Sequence, residues 1–378
     1  MYKYIVVVLL LSGILASTAS AFNIASGTNL VGYWGQNSAF STGKSQLDLI
    51  DYCTGYDVIN VAFLVSFFGG DTLSGTSIKL PTLNTANKCG NPNSQYQKLM
   101  DCPMVGLGTK SCQSQGKIVM LSLGGATGDN PIASTAKAQE FANTLWNMFF
   151  GGTDTKYPRP FGDAKLDGID FDIEGGDTTH YNDLVVAFNN LAKTDKSKKY
   201  YISGAPQCPK PDASLGPGTG TALSTGLFDF INIQFYNNNC GLAGNNFNYN
   251  EWKIWVNSES PNTKIVIGAP GDTYAAGSGY VDVAKLQTIV GQYINDPTFG
   301  GVMVWDCTVA DNNIVGGKSY SSTIKQYMVS ARNPSVTSAA PTTTTMTTTT
   351  GSTSSSNILL PSLIGMIIAI IAIIAILL

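Results

Sequence analysis

Asp167-Gly168-Ile169-Asp170-Phe171-Asp172-Ile173-Glu174 is the stretch whose reading decides the fold. Ile169, Phe171 and Ile173 alternate with Asp170, Asp172 and Glu174. Alternate side chains of an extended strand share a face, so three carboxyls line one side and three apolar groups the other. Crowded acids repel one another and resist joint desolvation, so at least one holds a proton near neutral pH. Such a row suits acid catalysis of glycoside cleavage. An acidic edge strand or a calcium site are the competing readings. A calcium loop carries its acids in a Gly-rich turn, not on an apolar strand.

Working outward, eight short apolar runs read as strands: 30–34, 58–65, 117–123, 166–173, 200–205, 230–236, 264–269 and 301–305. Most are rich in Val, Ile, Phe and Tyr. Residues 136–150, 181–191 and 281–294 carry apolar groups at helical spacing. Strand and helix in alternation imply parallel βαβ units, and eight of them imply an α/β fold closed as a (β/α)8 TIM barrel. An open doubly wound sheet is the alternative, but no Gly-rich phosphate fingerprint follows the first strand. In a barrel the strand C-termini hold the catalytic groups. That rule puts Glu174, Tyr236 and Trp305 at the mouth, with Gln36 entering the same cleft. The span 67–115 is long, Gly-rich and holds three cysteines, and reads as an elaborated second βα connection.

Asp167, Asp170, Asp172 and Glu174 match the D-x-x-D-x-D-x-E signature of family 18 glycoside hydrolases, the chitinase family. Leu30 to Asn37 resembles the opening strand of plant and fungal class III chitinases, and Ser122-Leu123-Gly124-Gly125 that family's third-strand motif. Ala205 to Pro209, Gln234 to Asn238 and Val304-Trp305-Asp306 fall where it has strands five, six and eight. The resemblance implies an endo-acting chitinase that cleaves β-1,4 N-acetylglucosamine linkages with retention, using the substrate's own acetamido group. It implies Glu174 as general acid, Asp172 as the group that orients the acetamido, Asp170 as a partner tuning Asp172 through a shared proton, and Tyr236 as a hydrogen-bond donor to the acetamido oxygen. Trp305 forms the floor under the sugar, and Gln36, Gln234 and Gly125 join it in substrate binding. No cofactor and no metal are expected. A non-catalytic glycan-binding lectin on the same scaffold, and an endo-β-N-acetylglucosaminidase acting on glycoproteins, remain as alternatives.

The rest of the chain sets the context. Residues 1–21 have a cationic start at Lys3, an apolar run from Ile5 to Leu15 and Ala19-Ser20-Ala21 as a cleavage site, which reads as a secretory signal peptide. The catalytic domain is expected over 22–333. Residues 334–356 are almost wholly Ser, Thr, Ala and Pro, a low-complexity linker. Residues 357–378 are strongly apolar with nothing polar after Leu378, and read as a GPI-attachment signal holding the protein at the cell surface, on the plasma membrane or passed on to the wall. Charged residues are only 12% and the net charge is -3, which gives no footprint for nucleic acid. The expected partner is chitin or a related polysaccharide, and the expected state is a monomer. His180 is the sole histidine, placed in the helix after strand four, so zinc sites built on several histidines are excluded. Seven cysteines in a secreted chain imply disulfides. Sequence alone leaves the pairing open; the resemblance implies Cys53–Cys112, Cys89–Cys102 and Cys208–Cys240, with Cys307 left as a buried thiol.

Overall fold

The computed structural model describes residues 22–127 and 130–333. The signal peptide over 1–21, the linker over 334–356 and the tail over 357–378 lie outside the described residues. Eight parallel strands close on themselves: β1 (Asn29–Trp34), β2 (Val58–Ser66), β3 (Ile118–Gly125), β4 (Gly168–Ile173), β5 (Tyr201–Gly204), β6 (Phe230–Gln234), β7 (Lys264–Pro270) and β8 (Phe299–Trp305). Closure comes from β1, which pairs with β2 at Val31–Val58 and with β8 at Val31–Met303. Helices α1 (Leu49–Tyr52), α2 (Pro103–Ser114), α3 (Thr135–Phe149), α4 (Tyr181–Ala192), α5 (Tyr249–Glu259), α6 (Val283–Tyr293), α7 (Cys307–Asn312) and α8 (Tyr320–Arg332) complete the fold.

The period-two pattern sorts the core into two parts. Ile169, Phe171 and Ile173 of β4 face outward into the large cluster between strands and helices. A second, smaller cluster fills the barrel itself, with Val58, Ile118, Met120, Phe230 and Val266. Phe22 and Ile24 pack against that inner cluster, and the Phe22 ring meets Tyr201 edge-on at 5.2 Å. Higher up the barrel runs a buried polar layer of Asn60, Ser122, Asp170, Ser203 and Asn232. It is the floor on which the site stands.

Two connections depart from the regular pattern. Residues 205–229 cross from β5 to β6 with only a short 3-10 turn, Leu223–Thr225, and no α-helix. Four prolines and four glycines in that span rule out a sustained helix. The second connection does end in a helix, α2, with Pro103 in its first turn. Before it, Thr82–Leu83 adds a short antiparallel strand to β2, and Cys89–Cys102 staples the loop. Cys53–Cys112 and Cys208–Cys240 form the other disulfides, and the Cys307 thiol is buried and free. The expected helix after strand four is present, but His180 stands at its N-cap, not within it, with φ +69° and its Nδ1 2.7 Å from Asp183. Short α7 and Gly-containing α2 carry too little apolar periodicity to announce themselves in the sequence.

Candidate active site

β4 delivers the acids. Asp170 is fully buried and lies in register with Ser122 on β3 and Ser203 on β5. Both serines donate to it, Ser122 at 2.7 Å and Ser203 at 2.5 Å. The Tyr33 hydroxyl donates at 2.9 Å and the Asn232 amide at 3.5 Å. Burial pushes the Asp170 carboxyl up, and these hydrogen bonds oppose the push. One turn of the pleat higher, Asp172 accepts from Gln234 Nε2 at 3.0 Å. The same nitrogen donates to Glu174 at 3.3 Å and to the Ala205 carbonyl at 3.0 Å. One amide thus ties the two carboxyls together.

The heavy-atom partners of the two aspartates differ. Both Asp170 oxygens already accept hydrogen bonds, and Asp172 is linked to Glu174 through Gln234. Asp172 is pushed well above the usual carboxylate range, first by burial, then by the charges of Glu174, Asp170 and Asp212, against the Gln234 hydrogen bond. Glu174 is raised as well, chiefly by burial and further by Asp212, again against Gln234. Burial and the mutual repulsion of two adjacent carboxyls both favour a proton held by the pair.

These groups face a cavity of about 130 Å³ whose lining includes Asp172, Glu174, Gln234, Tyr236, Met303 and Trp305. Trp305 stacks on Phe63, with centroids 5.9 Å apart and planes 21° from parallel. Tyr33 packs on Trp305 at 5.6 Å and on Phe63 at 6.1 Å, so the three rings form one cluster. Tyr236 is buried, and its hydroxyl is held protonated by that burial and by the nearby Asp172 and Glu174. Other cavities are larger, among them one of about 420 Å³ between α3 and α4 and one of about 540 Å³ at the C-terminal end of α3. Asp154 and Asp195 line the larger of these, but Asp195 is held below the usual carboxylate range by its hydrogen bonds, where Asp172 and Glu174 are raised by burial; chemistry, not size, singles out the barrel mouth.

Gln36 does not join the lining. Its amide nitrogen donates to the carbonyls of Gly35, Ala62 and Asn84 at 2.9, 2.9 and 3.0 Å, so it braces the loops after β1 and β2. Gly125 ends β3 at φ +82°, where a Cβ would lie 2.8 Å from the Phe63 ring that supports Trp305; its neighbour Ala126 lines the cavity. Asp306, beside Trp305, caps α7 through the Val309 N–H at 3.0 Å. Sequence reasoning missed Tyr33, Ser122 and Ser203 as partners of Asp170, and missed Asp212. The two serines are its register neighbours, a relation no local pattern encodes. Among the described residues no cluster of His, Cys, Asp and Glu is placed to hold a metal.

The raised Asp172 carboxyl has a consequence for stability. Its protonated form is the one the fold favours. Its contribution is therefore complete below the unfolded-state value of about 3.9 and is lost as pH rises through the raised folded value. In urea unfolding from about pH 4 to 8, the stability of Asp172→Asn relative to the unsubstituted protein should increase with pH. A difference that falls with pH would show that Asp172 is stabilised as a carboxylate.

The model of Glycosyl hydrolases family 18 matches residues 29–278, a span that runs from β1 past β7 and contains both carboxyls. Chitinase 2 of Rhizopus oligosporus is 43% identical over 308 residues, 80% of this chain and 54% of that protein's length. The chain thus spans about half the length of this relative. Among solved structures, the ICChI chitinase from Ipomoea carnea is 34% identical with a TM-score of 0.63, covering 79% of this chain and 99% of its own. The xylanase and alpha-amylase inhibitor protein XAIP-II from Scadoxus multiflorus is 30% identical with a TM-score of 0.60, covering 80% and 97%. On the match across the barrel, and on identity carried through most of its described length, the chain belongs to family 18 of the glycosyl hydrolases.

Proposed function

We propose that the protein is an endo-acting chitinase that hydrolyses β-1,4 N-acetylglucosamine linkages with retention of configuration. The observation that carries this reading is the Asp172–Glu174 pair, joined by one Gln234 nitrogen, on a cavity shared with Tyr236 and Trp305. Glu174, the less buried of the two, gives its proton to the glycosidic oxygen as the bond to the anomeric carbon breaks. The substrate's acetamido carbonyl oxygen forms the new bond to that carbon, giving an oxazolinium ion. Asp172 orients the acetamido group and balances its developing positive charge, and Tyr236 donates to the acetamido oxygen. Glu174, now ionised, removes a proton from water as that water opens the oxazolinium. Trp305 supplies a flat apolar floor for the sugar ring.

The fold alone does not decide activity, because XAIP-II is named as an inhibitor protein and shares it. The carboxyl pair favours an enzyme over a lectin. Incubation with a defined chitin oligomer and, separately, with an N-glycosylated protein tests the reading. Shorter oligomers from the first substrate support it. Release of glycans from the second alone would mark an endo-β-N-acetylglucosaminidase, and intact but bound oligomer would mark a lectin.

We further infer the layout around the barrel: a signal peptide over 1–21, the catalytic domain over 22–333, a Ser/Thr-rich stalk over 334–356 and an attachment signal over 357–378. The Ser/Thr composition of the stalk and the apolar character of residues 358–378 support a lipid-anchored, cell-surface enzyme. A phosphatidylinositol-specific phospholipase should then release active enzyme from intact cells. Enzyme that stays on the membrane and still carries the peptide ending at Leu378 would overturn the anchor.

A further inference from the structure

An exposed apolar side chain standing alone needs no explanation, but two rings gathered at one site do. Among the described residues, Phe40 and Tyr274 are the exposed aromatic side chains, at 69% and 41%. Both stand on loops fastened to the end of β8, where Trp305 floors the cavity. The loop after β7 starts at Gly271, whose N–H donates to the Trp305 carbonyl at 2.8 Å. It passes Tyr274, and Ala275 beside that ring lines the cavity. It then returns against the cavity wall. The Ser278 N–H donates to Asn237 Oδ1, and the Asn237 N–H to the Ser278 carbonyl, both at 3.1 Å. The loop after β1 reaches the same place, because the Ser38 N–H donates to Asp306 Oδ2 at 3.2 Å. Asn37 and Gln46 fix its shape. Asn37 Oδ1 accepts the Gln46 N–H at 2.8 Å, and Gln46 Oε1 accepts those of Gly35 and Asn37 at 2.8 and 3.1 Å. Ala39 is buried, while Phe40 beside it is not. Thr42, two residues on, reaches the Tyr274 hydroxyl, so the two loops meet.

The cavity of about 130 Å³ is well below the roughly 300–1,000 Å³ of pockets that enclose a whole ligand. Only a short piece of a polymer enters it, and the rest lies along the rim. We propose that Tyr274 and Phe40 are the sugar-binding platform of that rim: N-acetylglucosamine units beyond the one over Trp305 rest on these two rings. The inference rests on the reading of the barrel mouth as a chitin-cleaving site, and it adds the residues that favour long chains over short ones. The chemistry suits this ligand. A pyranose presents a face of C–H groups, which a neutral ring covers without taking a charge out of water. Continuity with the cavity names the occupant, since Ala275 lines that cavity and both loops are bonded to Trp305 or its neighbour Asp306. The backbone bonds at Gly271, Ser278 and Ser38 hold the loops before any ligand arrives. Little ordering cost is then left to set against the contact.

Both rings are exposed, so Phe40→Ala, Tyr274→Ala and the double variant should keep the fold, which circular dichroism checks. The test reads chain length: kcat/KM for a chitin hexamer divided by kcat/KM for a chitin trimer. Each lost ring should lower this ratio about two- to tenfold, the scale of one aromatic contact. Loss of mere structural support would slow both oligomers alike. An unchanged ratio in the folded double variant therefore overturns the inference, whatever happens to the rates. Tyr274→Phe keeps the ring and removes the hydroxyl that meets Thr42, and it should keep the ratio. A loss there as large as in Tyr274→Ala would assign Tyr274 to loop closure and overturn its place in the platform. Sedimentation tests the other occupant. A dimer that the double variant abolishes, with the ratio unchanged, would give the rings to a second copy of the chain. Calorimetry in a Glu174→Gln background compares hexamer and trimer affinities without cleavage, and the same two- to tenfold loss per ring is expected. Failure of the unsubstituted protein to cleave any chitin oligomer would count against the proposed function, while the affinity ratio still decides the role of the two rings.

Discussion

Glu174→Gln is expected to lower kcat on a chitin oligomer by roughly 100- to 10,000-fold while leaving oligomer binding nearly intact. The substitution keeps the side-chain shape and an oxygen that can accept from Gln234, which now reaches Glu174 at 3.3 Å. What it removes is the proton that the leaving oxygen needs. The residual activity should lack the alkaline limb set by Glu174, because that titrating acid is gone. In the unsubstituted protein, activity instead falls as pH rises through the raised Glu174 value and its proton is lost. Steady-state rates, with binding followed by calorimetry, check both halves. Turnover within about tenfold of the starting protein would reject Glu174 as the general acid.

Asp172→Asn should cost roughly 100- to 1,000-fold in kcat, on the scale of losing a group that stabilises transition-state charge. Asparagine is nearly isosteric with a protonated aspartic acid and can still accept from Gln234. It cannot take up negative charge as the acetamido oxygen attacks and its nitrogen becomes positive. The variant should therefore fold well and catalyse poorly. A thiazoline mimic of the oxazolinium ion should inhibit the unsubstituted enzyme and bind the variant less tightly. Mass spectrometry supplies the opposing outcome: a sugar trapped covalently on Asp172 would replace the substrate-assisted route with a carboxylate nucleophile.

The barrel was legible because each strand announces itself locally. Apolar β-branched runs recur, and on β4 the alternation of Ile and Phe with Asp states which side faces the helices. The candidate site was legible to the same depth and no further. Asp170, Asp172 and Glu174 share one octapeptide, and Tyr236 and Trp305 end strands that can be seen. Partners brought together by register were hidden. Ser122 and Ser203 meet Asp170 across strands 48 and 33 residues away in sequence, and Tyr33 meets it across 137. The same limit explains Gln36. Its place after the first strand suggested the cleft, but the three carbonyls that hold its amide belong to Gly35 just after β1, Ala62 within β2 and Asn84 in the loop beyond it. Asp212 sits in a Pro- and Gly-rich stretch whose only local message is the absence of a helix. The Gln234 amide shows the difference most directly: its residue type was visible, while its bridging of two carboxyls depends on β4 and β6 flanking β5 on either side.

Time-resolved proton NMR of a chitin hexamer incubated with the protein tests the central claim most directly, because it reads cleavage and stereochemistry together. The account predicts internal cleavage to shorter oligomers whose newly formed reducing ends appear first as the β-anomer and only later equilibrate. First appearance of the α-anomer, or a hexamer that stays intact in the presence of folded protein, would contradict it.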